Sequence, residues 1–314
     1  MKAVRFHDYG EPDVLRYEDV DDPTPGAGQV RVRVAATTFN GVDANIRAGF
    51  MQGPMPLTLP HIPGLDVAGT VDALGDGVRD LEVGDRVVGF LPFVVDGASA
   101  EYVLAPAESL APAPTSIPLA DAAALPLVGL TAYQALFEHA GLTAGQRILI
   151  SGAGGAVGGY AVQLAKAAGA YVIATGSPRS RARLAARGAD EVIDHTTVDV
   201  AAALSGPVDV LLNLAPISPE DYTALAALVR DGGIVVGTTV WMPAPGDEAR
   251  GVRGIDLYVR SDAAQLAELA ARVDHGELTV DVAERVALPD LPTVHAQAAA
   301  GTIAGKVIVR PTSN

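Results

Sequence analysis

No cysteine occurs among the 314 residues, which excludes disulfides, thiolate nucleophiles and any zinc site built on sulfur ligands. Positive charge is scarce: 22 Lys and Arg against 37 Asp and Glu leave a net charge of −15. Nucleic acid and anionic membrane surfaces both demand clustered cations, so neither is an expected partner. No apolar run approaches the ~20 residues of a membrane span. The opening MKAVRFHDYG has no apolar signal core and already alternates like a strand. A soluble, cytoplasmic chain is the expectation. With 49% hydrophobic and 19% charged residues, the chain can bury a large core in two domains.

Up to about Pro118 the sequence is β-rich. Short runs at 2–6, 29–35, 67–73, 86–90 and 100–105 alternate with Gly and Pro turns, which predicts an irregular β-barrel. From about 119 to 255 the pattern becomes apolar strand, helix, apolar strand, with strands at 148–151, 171–175, 191–195, 208–214, 234–238 and 255–259. That is the βαβ rhythm of a doubly wound parallel sheet. Ser218, Pro219 and Asp221 mark a helix start. A further helix is expected over 262–275, capped by Ser261 and stopped by Gly276. Residues 306–309 return to strand pattern. The expected division is a split domain, 1–118 with 256–314, around a nucleotide domain at 119–255.

Residues 147–170, RILISGAGGAVGGYAVQLAKAAGA, present a buried strand, a glycine turn and a small-residue helix in the order a dinucleotide pyrophosphate requires. The spacing is Gly152-x-x-Gly155-x-x-Gly158 instead of the strict GxGxxG. Gly152, Gly154, Gly155, Ala156, Val157 and Gly158 are therefore candidate cofactor-binding residues; an αβ turn without a ligand is the plain alternative. The next strand ends in ATGSPRSR (174–181), with no Asp or Glu to grip a free ribose 2′-hydroxyl. Ser177 with Arg179 or Arg181 suits a 2′-phosphate, so NADPH is the expected cofactor. The alternative is that Arg179, Arg181 and Arg183 only solubilise a helix face. Leu214 and Ala215, and Gly237, Thr238 and Thr239, end two later strands and are expected to border the cofactor.

Several blocks together resemble the zinc-independent quinone oxidoreductases of the medium-chain dehydrogenase/reductase superfamily. They are FNGVDANIRAG (39–49), IPGLDVAGTVDALGDGVRDLEVGDRVVGF (62–90), ASAEYVLAP (98–106), AAALPLVGLTAYQAL (122–136), RGADEVIDH (187–195) and AGKVIV (304–309). The resemblance implies a GroES-like β-barrel catalytic domain and a Rossmann cofactor domain. It also implies hydride transfer from nicotinamide to a quinone or an α,β-unsaturated carbonyl. Zinc-dependent relatives carry a Cys ligand and a Gly-His-Glu segment where this chain has Gly64-Leu65-Asp66, so no metal is expected, and the lone His61 reads as structural.

By resemblance, Asn40 lies near the nicotinamide and acceptor, where its amide can donate to an oxygen, and Thr131 approaches the nicotinamide half of the cofactor. His195 falls where relatives often carry Tyr near the adenosine phosphate; a surface His is the alternative. Asp43 reads as an anchor for its loop. Many relatives have Tyr after the Arg-x-Gly of the Asn block, but here Phe50 and Met51 follow. Phe50 thus stands at a vacant proton-donor position in the candidate catalytic group of Asn40, Phe50 and Thr131, and water becomes the expected donor. Phe50, Met51, Phe93 and Trp241 are the candidate acceptor wall, with 242–251 as a flexible lid.

Two further readings stay open beside the enzyme. One is an NADPH-binding protein without catalysis, or a scaffolding member of the same fold; the other, a zinc alcohol dehydrogenase, would need stoichiometric metal. The last sheet strand, expected at 255–259, would expose an apolar edge, which predicts a homodimer.

Overall fold

A computed structural model describes residues 1–239, 241–303 and 305–311. Ala304, expected within the closing block, and residues 312–314 of the expected split domain lie outside the described residues. By its internal contacts the chain divides into two units, Met1–Leu127 with Ser261–Asn314, and Val128–Arg260. Residues 119–127, which the sequence pattern groups with the nucleotide unit, fall in the first. The reason is packing: the short helix Leu119–Ala122 lies on strands Gln29–Thr38 and Asp66–Leu74.

The first unit is built around the long strand Gln29–Thr38. Along one side it pairs antiparallel with Asp66–Leu74; along the other it meets Tyr102–Pro106 over its first half and Val307–Arg310 at its end. Alternation explains the arrangement, since Val30, Val32 and Val34 are buried in one core cluster with Val67, Val71, Val87 and Val103. The strand from the far end of the sequence thus completes a sheet begun by residue 29. The strand expected at 100–105 starts two residues later, because Ala100 instead forms an isolated bridge to Ala3.

The second unit holds a six-stranded parallel sheet in the order Glu191–Asp194, Tyr171–Gly176, Arg147–Ser151, Val208–Asn213, Val229–Gly237 and Arg253–Asp256. The order reverses direction after Arg147–Ser151, which places a ligand crevice at the carboxyl ends of the central strands. Ile148, Leu149, Ile150, Leu211 and Val235 are almost wholly buried, as continuous apolar strands in a parallel sheet must be.

Three local expectations are corrected. The edge strand is Arg253–Asp256 and not 255–259: the last paired residue is Asp256, opposite Gly237, the Leu257 N–H closes the ladder on the Gly237 carbonyl at 2.8 Å, and Tyr258 is exposed. The helix Ala263–Asp274 is capped by Asp262, whose carboxylate accepts the Gln265 N–H at 3.0 Å, and not by Ser261. The block 122–136, which by the family resemblance corresponds to a single helix, holds a helix that begins only at Pro126 and runs from Pro126–Tyr133 directly into a wider π-turn over Gln134–His139.

Candidate active site

In the second unit, the strand Arg147–Ser151 delivers the chain to Gly152, whose φ of +77° is strained for any residue with a Cβ. A Cβ there would also lie 2.9 Å from the Ala215 methyl. The Gly152 N–H is held by Thr175 Oγ1 at 2.9 Å, and Gly155 N–H closes the turn on the Gly152 carbonyl at 3.1 Å. Gly155 then caps the helix Ala156–Ala167. Gly155 is exposed, and a Cβ on it would find nothing nearer than 3.5 Å. Gly158 is the opposite case: it is buried, and a Cβ would overlap the Ala153 backbone. The three glycines therefore serve turn, approach and packing respectively. The first-turn N–H groups at Ala156 and Val157, half-exposed, have no intrahelical acceptor and present the positive helix end.

Strand Tyr171–Gly176 ends beside this turn, and Ser177 caps the helix Pro178–Ala186, its N–H donating to Ser180 Oγ at 3.1 Å. Arg179 and Arg181 are exposed, and among the described residues neither guanidinium has a hydrogen-bonding partner. Arg183 is different. Its Nη2 donates to the Gly154 carbonyl at 2.6 Å while its Nε is buried without a partner. It braces the glycine turn, a role its place in an Arg-rich helix does not announce. His195 is exposed just past its strand, with its N–H 3.3 Å from the Gly176 carbonyl.

At the next strand end Leu214 N–H donates to the Ser151 carbonyl at 2.9 Å. The wholly buried Asn213 holds the following loop, Nδ2 donating to the Ala215 carbonyl at 3.0 Å. Thr238 N–H in turn donates to the Asn213 carbonyl at 3.2 Å, just beyond Gly237. Thr239 Oγ1 is buried with no partner among the described residues. Thr131 is buried in the helix Pro126–Tyr133. A dinucleotide fits these features: an open face at Gly155, two guanidinium groups without partners, and orphaned polar atoms on Thr239 and Arg183.

In the first unit, Asn40 caps the helix Gly41–Arg47, and its own N–H is accepted by Asp43 Oδ2 at 2.8 Å. Asp43, nearly wholly buried, also accepts the Gly64 N–H; burial, with Asp66 adding to it, pushes its carboxyl up to about 7. The Asn40 carboxamide faces an ion pair. Nδ2 donates to Asp66 Oδ2 at 2.9 Å, Oδ1 accepts from Lys306 Nζ, and Lys306 Nζ lies 3.0 Å from Asp66 Oδ2. Thr38 Oγ1 also donates to Asp66 Oδ2, and Leu127 N–H donates to its Oδ1 at 2.7 Å. Both charged partners are buried.

Sequence reading singles out Asn40 and Asp43 but not Asp66 and Lys306, which the structure brings into the same buried hydrogen-bonded cluster. The available signals were an acid after Gly64-Leu65 and a lone Lys ahead of an apolar closing strand. Phe50 is 65% exposed, whereas Met51 packs into a core with Phe6, Ile46, Leu288 and Leu291. Met51 is therefore core and not acceptor wall, because its side chain is spent on packing. Phe93 is partly buried against that same core, its ring 5.4 Å edge-on from Phe90. His61 is buried, edge-on to Phe6 at 5.5 Å, and no group of three or more His, Asp or Glu assembles as metal ligands among the described residues.

Trp241 is 64% exposed. The segment 242–251 does not have the make-up of a free lid. Ala244 N–H is tied to Asp256 Oδ1 at 2.7 Å, and Asp247 bridges to Val252. The Arg250 guanidinium binds the Val229 and Ala227 carbonyls and the Asp231 carboxylate.

Residues 26–115 match the family model of the alcohol dehydrogenase GroES-like domain, and residues 187–309 that of the zinc-binding dehydrogenases. The chloroplastic quinone-oxidoreductase QR1 of Triphysaria versicolor is 31% identical over 330 residues, covering 99% of this chain and 98% of its own. The chain belongs to the quinone oxidoreductase family of the medium-chain dehydrogenase/reductase superfamily. Among solved structures, the quinone oxidoreductase from Coxiella burnetii superposes on this oxidoreductase with a TM-score of 0.91 at 28% identity, covering 99% of both chains. That of Pseudomonas syringae pv. Tomato does so with a TM-score of 0.86 at 31% identity, again covering 99% of both. A nicotinamide cofactor and a small-molecule substrate come with the family of this oxidoreductase.

Proposed function

We propose that the protein is an NADPH-dependent, metal-free reductase of quinones or α,β-unsaturated carbonyls. The observation that carries the cofactor choice is the pair of exposed guanidinium groups, Arg179 and Arg181, which make no hydrogen bond among the described residues and follow a strand, Tyr171–Gly176, that ends without a carboxylate of its own; Arg181 feels only the longer-range pull of Asp194. A 2′-phosphate supplies the charge they lack, while a carboxylate there would have selected the free hydroxyl. The metal-free reading is supported by the absence of cysteine from the sequence. When bound, the nicotinamide supplies the hydride. The chain's own residues then bind and orient: first-turn N–H groups after Gly155 hold the pyrophosphate, and Thr239 Oγ1 finds its missing partner on the cofactor. Asn40 donates an amide N–H to the acceptor oxygen as negative charge grows there. Phe50, exposed and without a titratable proton, leaves protonation of the product to water.

The test is NADPH oxidation against a panel of quinones and enones, with dissociation constants for NADPH and NADH. Turnover of at least one acceptor is expected, with NADPH bound on the order of tenfold or more tighter than NADH. Arg179→Ala with Arg181→Ala should abolish that difference. Equal affinities in the unmodified protein would overturn the cofactor choice, and tight NADPH binding without turnover would overturn the enzyme.

A further inference from the structure

We infer that Lys306 and Asp66 are positioning residues that lock the Asn40 carboxamide in one orientation, with an N–H left to donate. The inference deepens the proposed reaction and rests on it for the role of Asn40.

A carboxamide has two faces of similar shape and opposite polarity, and rotating it by a half-turn exchanges a donor for an acceptor. Here the exchange is blocked from both sides. Asp66 Oδ2 accepts from Asn40 Nδ2 at 2.9 Å, and the Lys306 ammonium donates to Asn40 Oδ1. After a half-turn, Oδ1 would face a carboxylate and the NH₂ would face an ammonium, two repulsive contacts in a buried place where charge is poorly screened. The pair is held in turn. Asp66 is fixed by the Thr38 hydroxyl and the Leu127 N–H, and Lys306 Nζ closes the triangle at 3.0 Å from Asp66. Asp66 takes one of the two Nδ2 hydrogens, so the second remains as a donor whose direction the pair determines.

A buried Lys–Asp pair is a costly way to hold a fold, since apolar residues of similar volume often do so as well or better. An ion pair is suited to something apolar packing cannot do, which is to give an amide a sense of direction. The positioned N–H then meets an acceptor that gains negative charge, and the rate depends on that alignment.

The charges can be removed together, so that neither is left buried alone, in the double variant Asp66→Asn with Lys306→Met. The four asparagines, at 40, 45, 213 and 314, make selective ¹⁵N-asparagine labelling readable. The Asn40 side-chain signal is assigned by its loss in Asn40→Ala. In the double variant this signal should move and its two hydrogens exchange with solvent faster, while kcat for the best acceptor falls about tenfold and the NADPH dissociation constant stays within about twofold. In an Asn40→Ala background the same double substitution should cost no further rate, because Lys306 and Asp66 act through that amide. Lys306→Arg, which keeps the charge, should recover part of the rate.

An unchanged Asn40 signal, or rate losses that add in the Asn40→Ala background, would overturn the inference. If the unmodified protein reduces no acceptor, the proposed reaction falls, while the Asn40 signal still decides whether the pair fixes the amide. If the double variant does not fold, the unmodified protein decides: slow solvent exchange of one of the two Asn40 side-chain hydrogens supports the lock, and equally fast exchange of both overturns it.

Discussion

Asp43 and His295 are buried in the same unit, and their protons are displaced in opposite senses. Asp43 holds its proton up to about pH 7, against an ordinary value of 3.8. The folded protein therefore binds that proton more tightly than the unfolded chain; its contribution to stability is full below about pH 4 and is lost as pH rises through 7. His295 sits edge-on to Phe39 at 4.8 Å, and burial, with the nearby Arg47 adding to it, lowers its value from 6.5 to about 3. Here the unfolded chain is protonated first, so stability present above pH 6.5 is lost as pH falls toward 3. Comparing denaturant midpoints near pH 5 and pH 8, Asp43→Asn should lose a gain on acidification of up to a few kcal/mol. His295→Phe should lose an acid-induced decline of similar order. If either variant keeps the pH slope of the unmodified protein, the corresponding burial effect is not what sets it.

At the scale of elements, the glycine turn separates binding from packing. Gly155→Ala finds room and an ordinary φ of −79°, so the melting temperature should hardly move while affinity for the nicotinamide cofactor drops several-fold. Gly158→Ala would press a methyl into the Ala153 backbone and should cost about 1–3 kcal/mol of stability. Calorimetry and a cofactor titration on the two variants check both; equal effects on binding and stability would erase the distinction. This turn was legible in the sequence because strand, glycines and helix are consecutive. The edge strand was less so: Arg253, Gly254, Ile255 and Asp256 carry one apolar side chain, and neighbouring LYV drew the expected boundary forward. Ser261 and Asp262 are both good caps, and only the carboxylate geometry decides between them. Met51 and Phe50 look alike as apolar neighbours, yet one turns inward and the other outward. Least legible was the Lys306–Asp66 pair, 240 positions apart, since no local period links the two residues.

For the whole molecule, the open question is association. The strand Arg253–Asp256 ends the parallel sheet with one side of its backbone unpaired by any other strand of the described residues, and Tyr258, just beyond it, is 65% exposed. Such an edge is a template for a second copy, although its Arg, Gly and Asp make it less apolar than the sequence pattern implied. A homodimer is expected in sedimentation, and Ile255→Lys should shift it toward monomer; a monomer at micromolar concentration would end the idea.

The return of Val307–Arg310 to the strand Gln29–Thr38 sets an order for synthesis. Residues 128–260 form one uninterrupted stretch that can close its own sheet as it leaves the ribosome. The first unit cannot. Asp66 is made early and waits for its counter-ion until Lys306 has emerged, so the nascent barrel spends most of translation unfinished. A stalled chain released before residue 306 would hold a formed second unit and an unfinished first one, in which Asp66 has the Thr38, Asn40 and Leu127 donors but no counter-ion.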